Sequence, residues 1–304
     1  MKNIRIVSAI LGLCSTALLS TSAFAAVQVF ACEPEWAALA KEIGGADVEV
    51  FAATTGLQDP HQIQARPSLI ARMRGADVAI CTGAELETGW LPLLAHQAAN
   101  AKVQPGAPGY FEATKYVQMK QLPTALDRSL GDIHASGNPH IQTDPRNMLP
   151  VAAAFTEVLA KVDGAKAEAY RSRLAAFQTR WTAAIAGWET LAAPLRGVPV
   201  LTQHKSWVYM VEWLGMKDIA QLEPKPGLAP STSYLAELLD KVAAEKPRMT
   251  LVAAYEDDRG SKWVMDHAKI PAVTMPFTVG GTPDAETLTA LYDASIQRLL
   301  AALK

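Results

Sequence analysis

Near the middle of the chain, Tyr170, Leu174, Phe177, Trp181, Ala184, Trp188 and Leu191 recur in alternating steps of four and three. That spacing lines one face of an α-helix with apolar side chains. Gly164 precedes the stripe and Pro194 closes it. A helix of about 30 residues is roughly 45 Å long, more than one small domain needs to span its core. The expectation is a rigid connector, residues 164–195, whose stripe packs along structure on both sides. The alternative is an ordinary long helix inside a single domain.

The flanking sequence supports the first reading. Short β-rich runs alternate with helical patterns in both halves, the mark of α/β architecture with largely parallel sheets. Before the stripe the strands are expected at 27–31, 48–53 and 77–81, with helices near 35–43, 68–74 and 87–98. After it they are expected at 198–202, 249–254 and 272–275, with helices near 207–214, 233–245, 261–267 and 285–303. The chain is therefore divided into a leader, residues 1–25, an N-terminal lobe, 26–163, the connector, and a C-terminal lobe, 196–304.

The leader assignment rests on Lys2 and Arg5, the apolar run from Ile6 to Leu19, and the small-residue site Ala23-Phe24-Ala25. This is the pattern of a secretory signal peptide. Leu13 before Cys14 argues against a lipidation box, so a mature chain starting near Ala26 is expected in the periplasm. The net charge is −2, and removal of the two leader cations leaves it near −4. With no basic stripe, nucleic acid is not an expected partner. Cys32 and Cys81 each end a short apolar run. On neighbouring parallel strands both thiols would lie at one sheet end, where an oxidising compartment favours a disulfide; two buried free thiols are the alternative.

Of six histidines, His96 and His267 sit in helical patterns among polar residues and read as surface side chains. His61 follows Asp59-Pro60 in a loop after a strand. His140 follows Gly137-Asn138-Pro139 in a loop that leads to Asp144-Pro145, a helix cap and first residue. His204 directly follows the strand at 198–202. Open parallel sheets bind ligands beyond the carboxyl ends of their strands, and a proline before an imidazole fixes its backbone. Neutral imidazole is a ligand for zinc, copper, iron and nickel. His61, His140 and His204 are thus candidate metal ligands between the two halves. His134, six residues before His140, is either an accessory ligand or an exposed loop side chain.

In this order, Asp59-Pro60-His61 with Arg66-Pro67-Ser68, Gly75-Ala76-Asp77, Thr82-Gly83-Ala84-Glu85-Leu86-Glu87, Gly137-Asn138-Pro139-His140 with Asp144-Pro145, the connector, and Gln203-His204 form a specific series. On these motifs the chain resembles the periplasmic zinc- and manganese-binding proteins of ABC importers, the cluster A-I solute-binding proteins. The resemblance spans essentially the whole mature chain. It implies two small α/β lobes joined by one long rigid helix, with a metal held between the lobes by His61, His140 and His204. It also implies a membrane permease as partner, with a periplasmic metallochaperone as a further candidate, and no enzymatic activity.

Two departures from the family pattern stand out. The position of its usual fourth ligand, an aspartate after the last strand, is occupied by Thr278, so the fourth place is assigned to Glu256, with Asp257 or water as alternatives. The histidine-rich loop of many zinc-specific relatives is missing between Tyr110 and Asp132. Three imidazoles with at most one carboxylate favour zinc, with manganese as the alternative. A secreted three-histidine zinc hydrolase is the rival from another class, since an open fourth position activates water. However, the sequence contains neither a His-Glu-x-x-His helix nor a Gly-x-Ser-x-Gly elbow. A binder of an organic solute would leave the Pro-His loops unexplained.

Overall fold

The structure is a computed structural model and describes residues 25–123, 134–225 and 227–304. The expected leader lies outside the described residues except for Ala25. The N-terminal half forms a four-stranded parallel sheet from β1 (Val27–Ala31), β2 (Val48–Ala52), β3 (Val78–Cys81) and β4 (Tyr110–Glu112), in the order β2-β1-β3-β4. The second half forms another from β5 (Pro199–Thr202), β6 (Lys217–Gln221), β7 (Met249–Ala253) and β8 (Ala272–Met275), in the order β6-β5-β7-β8. The two sheets share one topology, and every strand pair in them is parallel.

Helices α1 (Pro34–Gly44), α2 (Pro67–Arg74) and α3 (Leu91–Ala98) connect the first sheet. Each carries proline in its first turn, where the missing N–H costs no helical hydrogen bond. Helix α4 (Met148–Val162) leads to α5 (Ala167–Leu191), and α6 (Val208–Trp213), α7 (Thr232–Glu245), α8 (Arg259–Ala268) and α9 (Leu288–Ala302) complete the chain. Two strands escaped the sequence-based expectation. β4 is only three residues long, and β6 is a polar edge strand whose register with β5 shifts between Val200 and Leu201. Cys32 and Cys81 are joined by a disulfide at one end of the adjacent strands β1 and β3.

The connector is α5, shorter than the sequence stripe because three-residue 3₁₀ turns take up Gly164–Lys166 and Ala193–Leu195. Its 25 residues make a rod of about 38 Å. Tyr170, Phe177, Trp181, Ile185 and Trp188 are buried along it and belong to one continuous apolar core shared with β1, α1, α4, β5, α6, β7 and α9. Leu191, the last member of the predicted stripe, is instead exposed.

Polar ties fix both ends of the rod. Arg173 donates to the Gly44 carbonyl at 2.8 Å and pairs with Asp47 at the end of α1. Trp188 donates its indole N–H to Asp293 of α9 at 2.6 Å. In between, the Trp181 indole donates to the Pro145 carbonyl at 2.7 Å, and its ring meets Trp188 and Tyr292 at 5.3 and 5.5 Å. Tyr292 in turn donates to the Gln142 carbonyl at 2.6 Å. The loop after His140 is therefore clamped from both α5 and α9.

Trp181 joins these layers, and truncating a buried tryptophan costs about 3–5 kcal/mol. Trp181→Ala should lower unfolding stability by that amount and shift the urea midpoint. A change below about 1 kcal/mol would show that the seam is not a shared core.

Candidate functional site

His61 is held by the loop before it and by a neighbouring turn. The Asp59 carboxylate accepts from the His61 backbone N–H at 3.0 Å and lies 2.7 Å from Nδ1. The Trp90 indole donates to the Pro60 carbonyl at 2.9 Å. Gly89 fits against the same segment; a Cβ there would come within 2.7 Å of the His61 carbonyl oxygen. Burial acts to raise the Asp59 carboxyl, but the hydrogen bond and charge of His61 outweigh it and hold the group below the usual carboxylate range.

Asn138 organises the next loop. Its Oδ1 accepts the His140 N–H at 3.0 Å, its Nδ2 donates to the Lys205 carbonyl at 2.8 Å, and its own carbonyl accepts from the Tyr209 hydroxyl at 2.7 Å. One side chain thus links the His140 loop to the residue after His204. His140 is fully buried, with its ring edge-on to Phe277 at 5.4 Å. Burial pushes this imidazole well below its ordinary range, and the neighbouring His61, His204 and His134 act the same way. It is therefore neutral at pH 7. His204 leaves β5 in extended conformation, with Nδ1 2.6 Å from a Glu223 carboxylate oxygen that also accepts the Gly227 N–H.

These three histidines come together. One ligand atom from each lies within 4.8 Å of the others, where a tetrahedral zinc with ~2.1 Å bonds sets about 3.4 Å. A small inward movement of the loops would close the set. The outer nitrogens of His61 and His204 face carboxylates, the arrangement that fixes a ligand imidazole's tautomer and orientation. His134 stands beside the cluster but outside the converging set, with its ring centre 5.3 Å from that of His61 and 6.1 Å from that of His140. Its imidazole is pushed down to about 4 by burial and by the charges of His61 and His204.

The other candidates lie elsewhere. Glu256 lines an open cleft of about 520 Å³ beside His61 and His204, together with Asp59, Glu223, Tyr255, Arg259 and Trp263. It is outside the converging set. One Glu256 oxygen accepts the Ala253 N–H at 2.6 Å, closing a turn at the end of β7. Burial raises its carboxyl to about 8, and the charges of Glu223 and Asp59 add to this against the Ala253 bond. Asp257 is exposed and accepts from Arg259 at 2.7 Å. Thr278 is buried and gives its hydroxyl to Glu35. His96 is exposed, and His267 stacks on Trp263 in α8, away from the cluster.

Two features escaped the sequence-based expectation. The Glu223–His204 contact has no local signal, because 19 residues separate the partners. The other is a buried acidic group beside the disulfide. Glu33 accepts the Thr82 hydroxyl at 3.0 Å, Glu87 accepts the Thr82 N–H at 2.7 Å, and Glu35 meets Thr278 across the lobes. Burial raises Glu35 and Glu87 from 4.5 to about 7, and raises Glu33 well above the ordinary range with help from the charges of Glu87 and Glu35.

The fold is that of a two-lobed solute-binding protein on a rigid helical connector, with a histidine cluster at the lobe junction. The chain belongs to the family of periplasmic zinc-uptake complex component A, ZnuA, whose family model matches residues 29–303. Among curated relatives, it is 22% identical over 298 residues to the manganese ABC transporter substrate-binding lipoprotein PsaA of Streptococcus pneumoniae, covering 92% of this chain and 88% of the relative. Among solved structures, a ZnuA crystal structure superposes with a TM-score of 0.76 at 19% identity, covering 92% of this chain and all of the other. A mutant of the laminin-binding adhesin Lmb of Streptococcus agalactiae gives 0.76 at 19% identity, covering 91% of this chain and all of the other.

A carboxyl whose folded pKa exceeds its unfolded value binds more protons when folded, so its contribution to stability falls as pH rises between the two values. For Glu35 that window runs from 4.5 to about 7. Glu35→Gln keeps an acceptor for Thr278 without the charge. In chelator, the variant should melt above the parent at about pH 8, with the difference closing by about pH 5. A constant offset in differential scanning calorimetry would contradict this.

Proposed function

We propose that this protein captures a divalent transition metal in the periplasm, zinc in preference to manganese, and delivers it to the permease of an ABC importer. The ligands are His61, His140 and His204. The observation that carries this reading is the convergence of three imidazoles from loops distant in sequence, two with a carboxylate on the outer nitrogen.

Membership of the zinc-uptake family supports it. PsaA is named for manganese, and a periplasmic metal-binding protein of Candidatus Liberibacter asiaticus with the same fold (TM-score 0.72, 16% identity) has been solved with cadmium and with manganese. Preference for zinc here rests on the chemistry of the set: imidazoles suit zinc, whereas manganese favours carboxylates and water. As cargo, the metal is held by neutral nitrogens, and protons compete for them. The apolar seam along α5 opposes a wide hinge motion, so release proceeds through local movement of the loops that carry the ligands. Solute capture, rather than hydrolysis, also fits Glu256, since one oxygen is engaged by the Ala253 N–H and burial raises the carboxyl to about 8, leaving it largely protonated at pH 7 and a poor base.

Purified mature protein, stripped and reloaded, should hold one zinc per chain by mass spectrometry. His140→Ala should lose most of that affinity. Asp59→Asn should weaken zinc binding about 10–100-fold by releasing the His61 ring. Affinity should fall as pH drops below about 6.5. Absence of stoichiometric metal under every loading condition would rule the reading out.

A further inference from the structure

We infer that His134 is the fourth metal ligand, so that the cargo is held by four imidazoles, and that the place given to Glu256 from sequence belongs to this residue. This rests on the capture reading above and specifies its coordination.

Geometry is the first ground. Zinc bound tetrahedrally at ~2.1 Å by four imidazole nitrogens sets the ring centres ~5.2 Å apart. Here His61–His134, His61–His140, His140–His204, His61–His204 and His134–His140 are separated by 5.3, 5.4, 5.6, 5.8 and 6.1 Å. These are five of the six pairs among the four rings. The nitrogens of His61, His140 and His204 already converge, and His134 stands just outside that set, so its ring has to move inward to complete a tetrahedral shell.

The second ground is the state of the ring. Nε2 of His134 is buried with no hydrogen-bond partner, as is Nε2 of His61. The ring bonds to the backbone of Ala84. A metal-ligating histidine shows this pattern, one nitrogen oriented by a carbonyl or carboxylate and the other free for the ion.

The third ground is the platform. Gly83, Ala84 and Glu85 all have positive φ, at 83°, 48° and 63°, and for alanine and glutamate that conformation is costly. The turn is held by Glu87, which accepts the Thr82 N–H at 2.7 Å and the Gly83 N–H at 3.2 Å. It presents the Ala84 backbone to His134, and the Glu85 carboxylate to the N–H and hydroxyl of Ser136, at 3.0 and 2.7 Å. The His134 loop is thus fastened on both sides of the bend that aims its ring at His61.

Four neutral nitrogens and no carboxylate select zinc over manganese, because manganese takes oxygen ligands. The test is zinc X-ray absorption spectroscopy with competition titrations on the full mature chain and on His134→Ala and His134→Asp. The wild type should show four imidazoles. His134→Ala should show three imidazoles and an oxygen, with affinity at least about tenfold weaker, since even partners behind the ligands matter that much. His134→Asp should keep the metal and lower the ratio of zinc to manganese affinity. Three imidazoles on the wild type, or unchanged affinity in His134→Ala, would overturn the assignment while leaving capture by His61, His140 and His204 intact. A wild type that holds no zinc would fail both. The wild-type spectrum decides the matter even if a variant folds poorly.

Discussion

Burial of one helical face against both lobes is the constraint on which the rest of the molecule depends. Trp181 and Trp188 meet Tyr292 of α9 edge-on and tilted, and the same stripe continues through Phe177 and Tyr170. Separating the lobes would expose this surface to water, at roughly 25 cal/mol for each Å² of apolar area. Lobe orientation is therefore part of folding itself rather than a degree of freedom added afterwards. The Pro145 carbonyl, held by Trp181, and the Gln142 carbonyl, held by Tyr292, carry that rigidity into the loop bearing His140.

The site exploits that rigidity. Burial holds two of the clustered imidazoles below their ordinary range, most strongly His140 and also His134. Carboxylates stand behind the rings rather than among them: Asp59 behind His61 and Glu223 behind His204. This places negative charge close enough to favour a cation while leaving the inner positions to nitrogen. Asn138 ties the His140 loop to the segment after His204, so loops from the two halves of the chain move together.

Much of this was legible in the sequence, and the reasons differ by element. The connector could be read because a 3.6-residue period is local and its tryptophans are large. Strands such as Val27–Ala31 and Met249–Ala253 are largely apolar and buried, whereas Lys217–Gln221 is polar and half exposed, and only its pairing with β5 makes it a strand. The Pro-His loops announced His61 and His140 because proline restricts the chain just where the ring must be placed. Glu256 lines the cleft beside the histidines but lies outside their converging set, and the turn that one of its oxygens closes on the Ala253 N–H is a short-range effect that the acidic run did not reveal. Glu223 and the set of Glu33, Glu35 and Glu87 were invisible because their partners are distant in sequence and meet only once both sheets have formed.

The open cleft beside His61 and His204 has a bearing on kinetics. Its walls carry the carboxylates of Asp59 and Glu223, while burial raises the Glu256 carboxyl to about 8 and Asp257 is paired with Arg259. Such a recess, with acidic side chains set in low-dielectric protein, concentrates field lines and draws cations inward. An arriving dication meets acceptor oxygens before it meets nitrogen, so its hydration shell can be exchanged in stages. On the proposed capture reading, arrival rate is governed by the rim and residence time by the rings, two properties that evolution can tune separately on one scaffold.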